Sequence, residues 1–357
     1  MKVMVYEGVG QIAIQEVPDL PIARDQVRID TLFTGISHGT EMAVYRGTAP
    51  FFRRQKDVST GLFGPAEQDQ VWSYPVRSCD PGVWYMGYAH VGRVVEKGPN
   101  VRRLEIGDIV YSNAPHQTQV VKNETETVKL PPGLKPEYGV FFTNLMTAFN
   151  AILDTRIKLG DTVVVSGLGV LGQLLVQMCK MSGALCVYGV DLLEGRRLAA
   201  LANGADAVFD PAQTPDVAAE IRKLTGNKGP DSVIEASGSV AALQEAIRIA
   251  APDTTVTALG WYQGACQALN LSEEFHHNRI IVRSSQAGAI QPEIRHMWDD
   301  ARKERTCLEL LGRLKLDNLI TGMVPYDRIA DAYREIDTHS AQSIQMVLQY
   351  ERISSSV

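Results

Sequence analysis

Residues 167–172 read GLGVLG and directly follow the apolar stretch TVVVS. In this spacing the first glycine permits a tight turn, the second lets the backbone approach a pyrophosphate, and the third lets the next helix pack closely on the strand. The unpaired N–H groups at the start of that helix attract anions. The motif predicts a dinucleotide site contacted by Gly167, Leu168, Gly169, Val170, Leu171 and Gly172.

A carboxylate downstream selects between two forms of the cofactor. Asp191 ends the stretch CVYGVD, close to the spacing of about 20 residues at which an acidic side chain accepts hydrogen bonds from the adenosine ribose. The same charge repels a 2′-phosphate, whereas Arg196 and Arg197 are able to receive one or, alternatively, to cap a surface helix. We therefore expect NAD, with NADP as the alternative, and assign Asp191 and Arg196 to the cofactor site.

The elements that must position these residues change character along the chain. Residues 1 to about 130 contain short strand-like runs separated by Gly, Pro and Asp, which predicts an antiparallel β domain. From about residue 145, apolar strands alternate with helical stretches, which predicts an α/β fold with a six-stranded, doubly wound parallel sheet. We expect residues 1–144 with 286–357 to form the first domain and residues 145–285 to form the nucleotide-binding domain.

Composition excludes several classes of protein. A chain of 357 residues with 45% hydrophobic and 21% charged residues is typical of a soluble protein of about two domains. The net charge of −6 gives no general attraction to nucleic acid, and no apolar run reaches the roughly 18 residues of a membrane span. The five cysteines form no Cys-x-x-Cys pair, which favours a reducing, cytoplasmic location.

Several local signatures resemble the medium-chain dehydrogenase/reductase superfamily, and the resemblance covers nearly the whole chain. They are Gly39-Thr40-Glu41 and the stretches 87–98 (GYAHVGRVVEKG), 104–110 (LEIGDIV), 147–150 (TAFN) and 235–238 (EASG). The resemblance implies a GroES-like β domain that the C-terminus completes, and a Rossmann domain. It also places Thr147 and Ser237 beside the cofactor, with Gly260 following the strand TTVTALG.

The zinc ligands of that superfamily are missing from this sequence. Zinc members use a Cys before Gly-Thr-Asp/Glu, the His of Gly-His-Glu and a third ligand near the domain junction. Here those positions hold His38 (or Ser37), Tyr88 and Asn144, and the four-cysteine structural zinc lobe is absent. One imidazole, a phenol and an amide make a poor ligand set, so we predict no zinc. The alternative is a rearranged site built from His38, Glu41, His90 and His116.

Without a metal, side chains must exchange the proton of a substrate hydroxyl. His38 can serve as a general base near neutral pH, and Tyr88 occupies a metal-ligand position of the family. Thr40 can pass a proton through its hydroxyl, while Glu41 can orient His38 or another polar group. For Tyr88 and Glu41 the alternative roles are a packed aromatic ring and a structural ion pair.

Aromatic residues suggest the substrate. The segment 48–86 is rich in aromatic and charged residues, which suits a polyhydroxylated ring but also a core cover or a dimer contact. We assign Trp84 and Trp261, with Asn144, to the substrate site. The segment and the SHGTE motif resemble a zinc-lacking subgroup that includes glycoside 3-dehydrogenases.

These inferences predict an NAD-dependent, zinc-independent dehydrogenase that interconverts a secondary alcohol and a ketone, on a ring hydroxyl of a sugar or glycoside. The alternatives are an alcohol dehydrogenase acting on another scaffold, a quinone or enone reductase, and a non-catalytic dinucleotide-binding protein. The resemblance further implies a homodimer or homotetramer paired through edge strands of the Rossmann sheet, either TTVTALG or the segment after it.

Overall fold

The computed structural model describes residues 1–65, 72–267, 269–339 and 343–350. The chain divides into two compact units, Met1–Thr143 with Ile320–Val357, and Asn144–Leu319. In the part of the chain that the structure describes, none of the helices combines the length and apolar character needed to cross a membrane.

The first unit begins as β-structure. Its strands are β1 (Lys2–Gly8), β2 (Gln11–Glu16), β3 (Gln26–Gly35), β4 (Arg54–Lys56), β5 (Phe63–Pro65), β6 (Val76–Arg77), β7 (His90–Lys97), β8 (Ile109–Ser112), β9 (Gln119–Asn123) and β10 (Thr127–Lys129), and a short helix, α1 (Thr40–Tyr45), follows β3.

The second unit alternates helices and strands. After α2 (Phe142–Thr155) come β11 (Thr162–Ser166), α3 (Val170–Met181), β12 (Cys186–Val190), α4 (Glu194–Ala202), β13 (Ala207–Phe209), α5 (Val217–Leu224), β14 (Ser232–Glu235), α6 (Val240–Ile249), β15 (Thr255–Ala258), α7 (Glu274–His277), β16 (Ile281–Ser284) and α8 (Asp300–Leu311). The six strands run parallel in the order β13-β12-β11-β14-β15-β16. The predicted α/β fold with its six-stranded parallel sheet is confirmed.

The chain then returns to the first unit through β17 (Ile320–Pro325), α9 (Ile329–Thr338) and β18 (Gln345–Gln349). β18 pairs antiparallel with β3 and parallel with β17, in a sheet ordered β10-β8-β7-β3-β18-β17 with β9 also on β3. Helix α9 buries Ile329, Ala332, Tyr333 and Ile336, whose spacing of three and four residues puts them on one face. That face packs into the core of the first unit.

One predicted boundary differs from the structure. We expected residues 286–357 to rejoin the first domain, but residues 286–319 belong to the second unit. The buried ammonium of Lys303 on α8 donates to the side-chain oxygen of Asn150 on α2 at 3.5 Å, and Trp298 packs on Phe149 of α2 at 5.2 Å between ring centroids. Such contacts are long-range, so the amphipathic pattern of this segment did not reveal which core it covers.

His90 is buried in the first unit as a neutral ring. The Thr31 hydroxyl donates to the carbonyl of Gln117 at 2.6 Å, so it must accept from His90 Nε2 at 3.1 Å. Nδ1 therefore accepts the Ser112 hydroxyl at 2.8 Å. Burial, followed by nearby positive charges, lowers the pKa of His90 to about 3.

This lowered pKa makes the stability of the first unit depend on pH. The unfolded chain binds a proton at His90 below about pH 6.5 while the folded chain does not, so the free energy of unfolding falls as the pH drops below that value. Between pH 7 and pH 5 we expect the wild type to lose about 2 kcal/mol more than His90→Gln, measured by urea unfolding. Equal losses would mean that folded His90 accepts the proton.

Candidate functional site

Packing requires one glycine in the turn between β11 and α3 and one in the first helical turn of α3. Gly167 has φ 89°, and a Cβ added there would lie 2.6 Å from the backbone nitrogen of Ser237. A Cβ on Gly172 would lie 2.0 Å from the carbonyl oxygen of Gly167. Neither position has room for a side chain.

Gly169 differs from the other two. It is the N-cap of α3 without a side-chain hydrogen bond, and the nearest atom to an added Cβ is a guanidinium nitrogen of Arg196 at 3.7 Å. The helix start is therefore open on this side, as an anion-binding turn requires. The turn has the geometry to hold the pyrophosphate of a dinucleotide.

Asp191 is fixed beside this turn. Its carboxylate accepts the backbone N–H groups of Leu168 at 2.7 Å and Leu193 at 2.8 Å. Arg197 pairs with Asp210 at 3.0 Å and donates to the carbonyl of Asp191, so it serves the fold. Arg196 is half-buried near Gly169, and burial lowers the pKa of its guanidinium. Of the two arginines considered for a 2′-phosphate, Arg196 lies nearer the turn.

The other predicted cofactor residues of this unit lie at strand ends or on α2. Ser237 and Gly260 follow β14 and β15, and a Cβ on Gly260 would lie 2.2 Å from the backbone nitrogen of Gly238. The structure therefore brings Gly167, Ser237 and Gly260 together. On α2, Thr147 is partly exposed and Asn144 is buried; Trp261 is 37% exposed.

Glu41 of α1 is a buried carboxylate in the first unit. It accepts the backbone N–H of Ser37 at 2.8 Å and the hydroxyl of Tyr333 at 2.5 Å, and it pairs with His116 Nε2 at 2.6 Å. His116 Nδ1 lies 2.7 Å from the hydroxyl of Thr34. These contacts make Glu41 an organising group of this unit.

Ser37 connects that buried group to Tyr88. The Tyr88 hydroxyl donates to Ser37 Oγ at 2.7 Å, and the backbone N–H of Thr40 donates to the same atom at 3.2 Å. Burial and then the charge of Glu41 raise the pKa of Tyr88 well above its usual value, so the phenol is protonated at neutral pH. His38 is partly exposed, with Nε2 lying 3.3 Å from Ser343 Oγ.

The donors at the family's metal positions do not fit a zinc ion. Tyr88 keeps its proton and donates it to Ser37, whereas a metal ligand presents a lone pair. The alternative set does not assemble either, because the ring nitrogens of His90 are taken by Thr31 and Ser112. Within the described ranges, no three His, Cys, Asp or Glu side chains are grouped so as to hold a metal ion.

The aromatic segment 48–86 is described apart from residues 66–71. The ring of Trp72 stacks on Tyr85 at 3.7 Å and lies 4.8 Å from Phe51. Trp84 lies 5.7 Å from Trp72 at 71° and is 48% exposed. Most of these rings pack on one another, and Trp84 presents part of its ring to solvent.

Comparison with known proteins identifies the class. Residues 170–303 match the family model described as zinc-binding dehydrogenase. The D-guloside 3-dehydrogenase of Escherichia coli (strain K12) is 32% identical over 352 residues, covering 97% of this chain and 99% of that protein. The chain belongs to the zinc-binding dehydrogenase family of the medium-chain dehydrogenase/reductase superfamily, and it is a dehydrogenase.

Solved structures have the same fold. The 2R,3R-butanediol dehydrogenase of Bacillus subtilis superposes with a TM-score of 0.77 at 21% identity, covering 98% of this chain and 99% of that chain. An alcohol dehydrogenase from E. coli CFT073, solved with NADH, superposes with a TM-score of 0.75 at 20% identity, covering 98% and 99%. At these identities the likeness is one of fold, with GroES-like and Rossmann parts.

The open side of Gly169 can be tested by adding one methyl group. Gly169→Ala should fold normally but lose roughly tenfold or more in NADH affinity, because the methyl takes space next to the N–H groups that we expect to bind the pyrophosphate. Fluorescence titration with NADH measures the affinity, and thermal unfolding checks the fold. Gly264→Ala, where an added Cβ meets no atom within 4 Å, is the matched control. If Gly169→Ala binds NADH as tightly as the wild type, the pyrophosphate does not bind at this turn.

Proposed function

We propose that the protein is an NAD-dependent, zinc-independent dehydrogenase that interconverts a secondary alcohol and a ketone on the ring of a sugar or glycoside, with a 3-keto product. The observation that carries this proposal is the 32% identity to D-guloside 3-dehydrogenase along nearly the full length of both chains. The loss of the family's zinc ligands supports metal-free chemistry, because Tyr88 and His38 stand where metal ligands are expected.

The cofactor assignment follows from the second unit. A bound nicotinamide gives or takes the hydride. The turn 167–172 holds the pyrophosphate. Two backbone N–H groups fix the carboxylate of Asp191, which accepts hydrogen bonds from the ribose hydroxyls of NAD. Arg196 is the group that would receive the phosphate of NADP, so the NAD preference rests on the charge of Asp191 beside it.

The proton step needs one group that exchanges the proton and one that orients the substrate oxygen. His38, partly exposed, is suited to accept the proton of an alcohol in the oxidation and to return it to the carbonyl oxygen in the reduction. Because burial and the charge of Glu41 raise the pKa of Tyr88, its phenol keeps its proton, which it donates to Ser37, and its oxygen can accept a hydrogen bond from the substrate hydroxyl. Glu41 accepts the backbone N–H of Ser37, whose hydroxyl accepts that of Tyr88, so Glu41 is a positioning residue. The backbone N–H of Thr40 also donates to Ser37 Oγ, which places Thr40 where its own hydroxyl can pass the proton.

Substrate contacts are assigned to Trp84, Trp261 and Asn144. The exposed part of the Trp84 ring offers a flat apolar surface, which suits the C–H face of a sugar ring. The described cysteines are all free thiols, which favours a cytoplasmic location.

We also propose a homodimer through β16. This strand is at the edge of the parallel sheet, and its Ile281 and Val282 are 54% and 38% exposed. Of the two segments considered for pairing, TTVTALG forms the interior strand β15, so only the segment after it is available. An exposed apolar edge strand is a ready template for pairing with a second copy.

The decisive assay is NADH formation by chelator-treated protein offered NAD and a panel of sugars, glycosides and cyclitols. Turnover should survive chelation, and His38→Ala should lower kcat/KM roughly a hundredfold in both directions, because the group that accepts the proton in the oxidation returns it in the reduction. Tyr88→Phe should lower kcat/KM roughly tenfold in both directions, as expected for loss of one hydrogen bond to the substrate oxygen. Thermal unfolding of each variant is the control for folding.

Other outcomes separate the rival functions. Activity that disappears with a chelator and returns with zinc would overturn the metal-free mechanism. A preference for NADPH with reduction of conjugated carbonyls, and no alcohol oxidation, would make the protein an enone reductase. Tight NAD binding with no turnover on any substrate would make it a non-catalytic binder.

Pairing through β16 has its own test. Ile281→Lys puts a charge on the proposed interface and should convert the dimer to a monomer, measured by size-exclusion chromatography with light scattering. Val58→Lys, at a side chain that is 94% exposed in the first unit, should leave the mass unchanged. A dimer that persists in Ile281→Lys would place the interface elsewhere.

A further inference from the structure

Glu235 is a second fully buried carboxylate, at the carboxyl end of β14. It accepts the backbone N–H of Ser237 at 2.7 Å and of Gly238 at 3.3 Å, and it also accepts the hydroxyls of Ser237 and Tyr262. A carboxylate has about four lone-pair sites, and these four neutral donors fill them. Burial, followed by the charge of Glu235, raises the pKa of Tyr262, so its phenol donates throughout the neutral range.

The same residue binds the turn of the neighbouring strand through its backbone. The carbonyl of Glu235 accepts the N–H groups of Leu259 at 2.7 Å and Gly260 at 3.1 Å. With Tyr262 bonded to the side chain, residues 259–262 are tied to one residue at three points. The turn after β14 and the turn after β15 therefore cannot shift independently.

The topology of the sheet indicates which half of a bound dinucleotide these two turns face. The strand order reverses between β11 and β14, and ligands of such sheets lie across the carboxyl ends at that reversal. The glycine turn and Asp191 belong to β11 and β12, and the acidic residue of this pattern bonds the adenosine ribose. The other mononucleotide half must then lie over β14 and β15.

We propose that Glu235 and Tyr262 are positioning residues for the nicotinamide half of the cofactor site. Their carboxylate–phenol pair holds the two turns that form that half, while the adenosine half is set by residues on β11 and β12. The proposed role does not require either side chain to contact the reacting atoms. The inference rests on the proposed function only for the nature of the cofactor, a nicotinamide dinucleotide.

Removal of one hydroxyl tests this pair. In Tyr262→Phe the ring remains but Glu235 loses a donor, and a buried acceptor left without a partner disfavours the arrangement. We expect the Kd for NADH to rise about tenfold, while the Kd for ADP, which has no nicotinamide half, stays within about twofold. Titration calorimetry measures both ligands. Tyr138→Phe, which removes one phenol oxygen in the first unit, is the matched control and should change neither value.

Glu235→Gln is the second variant, and it should show the same selective loss. If it does not fold, Tyr262→Phe still decides the matter, because it removes a single oxygen. If the affinities for NADH and ADP fall equally, the pair of Glu235 and Tyr262 supports the unit as a whole. If neither affinity changes, the pair does not position the cofactor. Either result overturns the inference.

The results that would refute the proposed function differ from those that would refute this inference. Wild-type protein that binds NADH but oxidises no sugar, glycoside or cyclitol would refute the proposed function, and the selective loss in Tyr262→Phe would still test the inference. Wild-type protein that binds ADP but not NADH would overturn both, and this is seen before any variant is made.

Discussion

The second unit depends on how closely three turns approach one another at one edge of its sheet. Gly167, Gly238 and Gly260 leave no room for a side chain at that point, because an added Cβ would meet backbone atoms at 2.2 to 3.0 Å. Backbone N–H groups packed this tightly need hydrogen-bond acceptors within the protein, because water does not reach them. Glu235, which is fully buried, supplies such acceptors through its carbonyl and its carboxylate. The tight packing and the buried charge therefore require each other.

The first unit uses a comparable device for a different purpose. Glu41 accepts a backbone N–H, a phenol and an imidazole nitrogen, and these come from segments far apart in the chain: Ser37, Tyr333 and His116. This buried carboxylate joins those segments, and Ser37, whose backbone N–H it accepts, accepts the hydroxyl of Tyr88 in turn.

The sequence was most informative where function depends on local spacing. The glycine turn, Asp191 and the alternation of strands and helices are local patterns, and the parallel sheet and the family were predicted from them. Residues 286–319 were assigned to the wrong unit because an amphipathic helix shows that it covers a core but not which one. The bond between Tyr333 and Glu41, and the partners of Glu235, were missed for the same reason. Tyr333 looks like any buried aromatic of α9, and its hydroxyl reaches a carboxylate almost 300 positions earlier only in the folded chain.

The position of β18 has a consequence for the order in which the protein folds. Leu348 pairs with Thr34 inside the first sheet, so that sheet lacks an internal strand until residue 348 has left the ribosome. Residues 144–319 are continuous and carry their own core, so they can fold during synthesis. During that time the last three residues of β3, Phe33 to Gly35, lack the strand that pairs with them, and such unpaired backbone groups are prone to association with other chains.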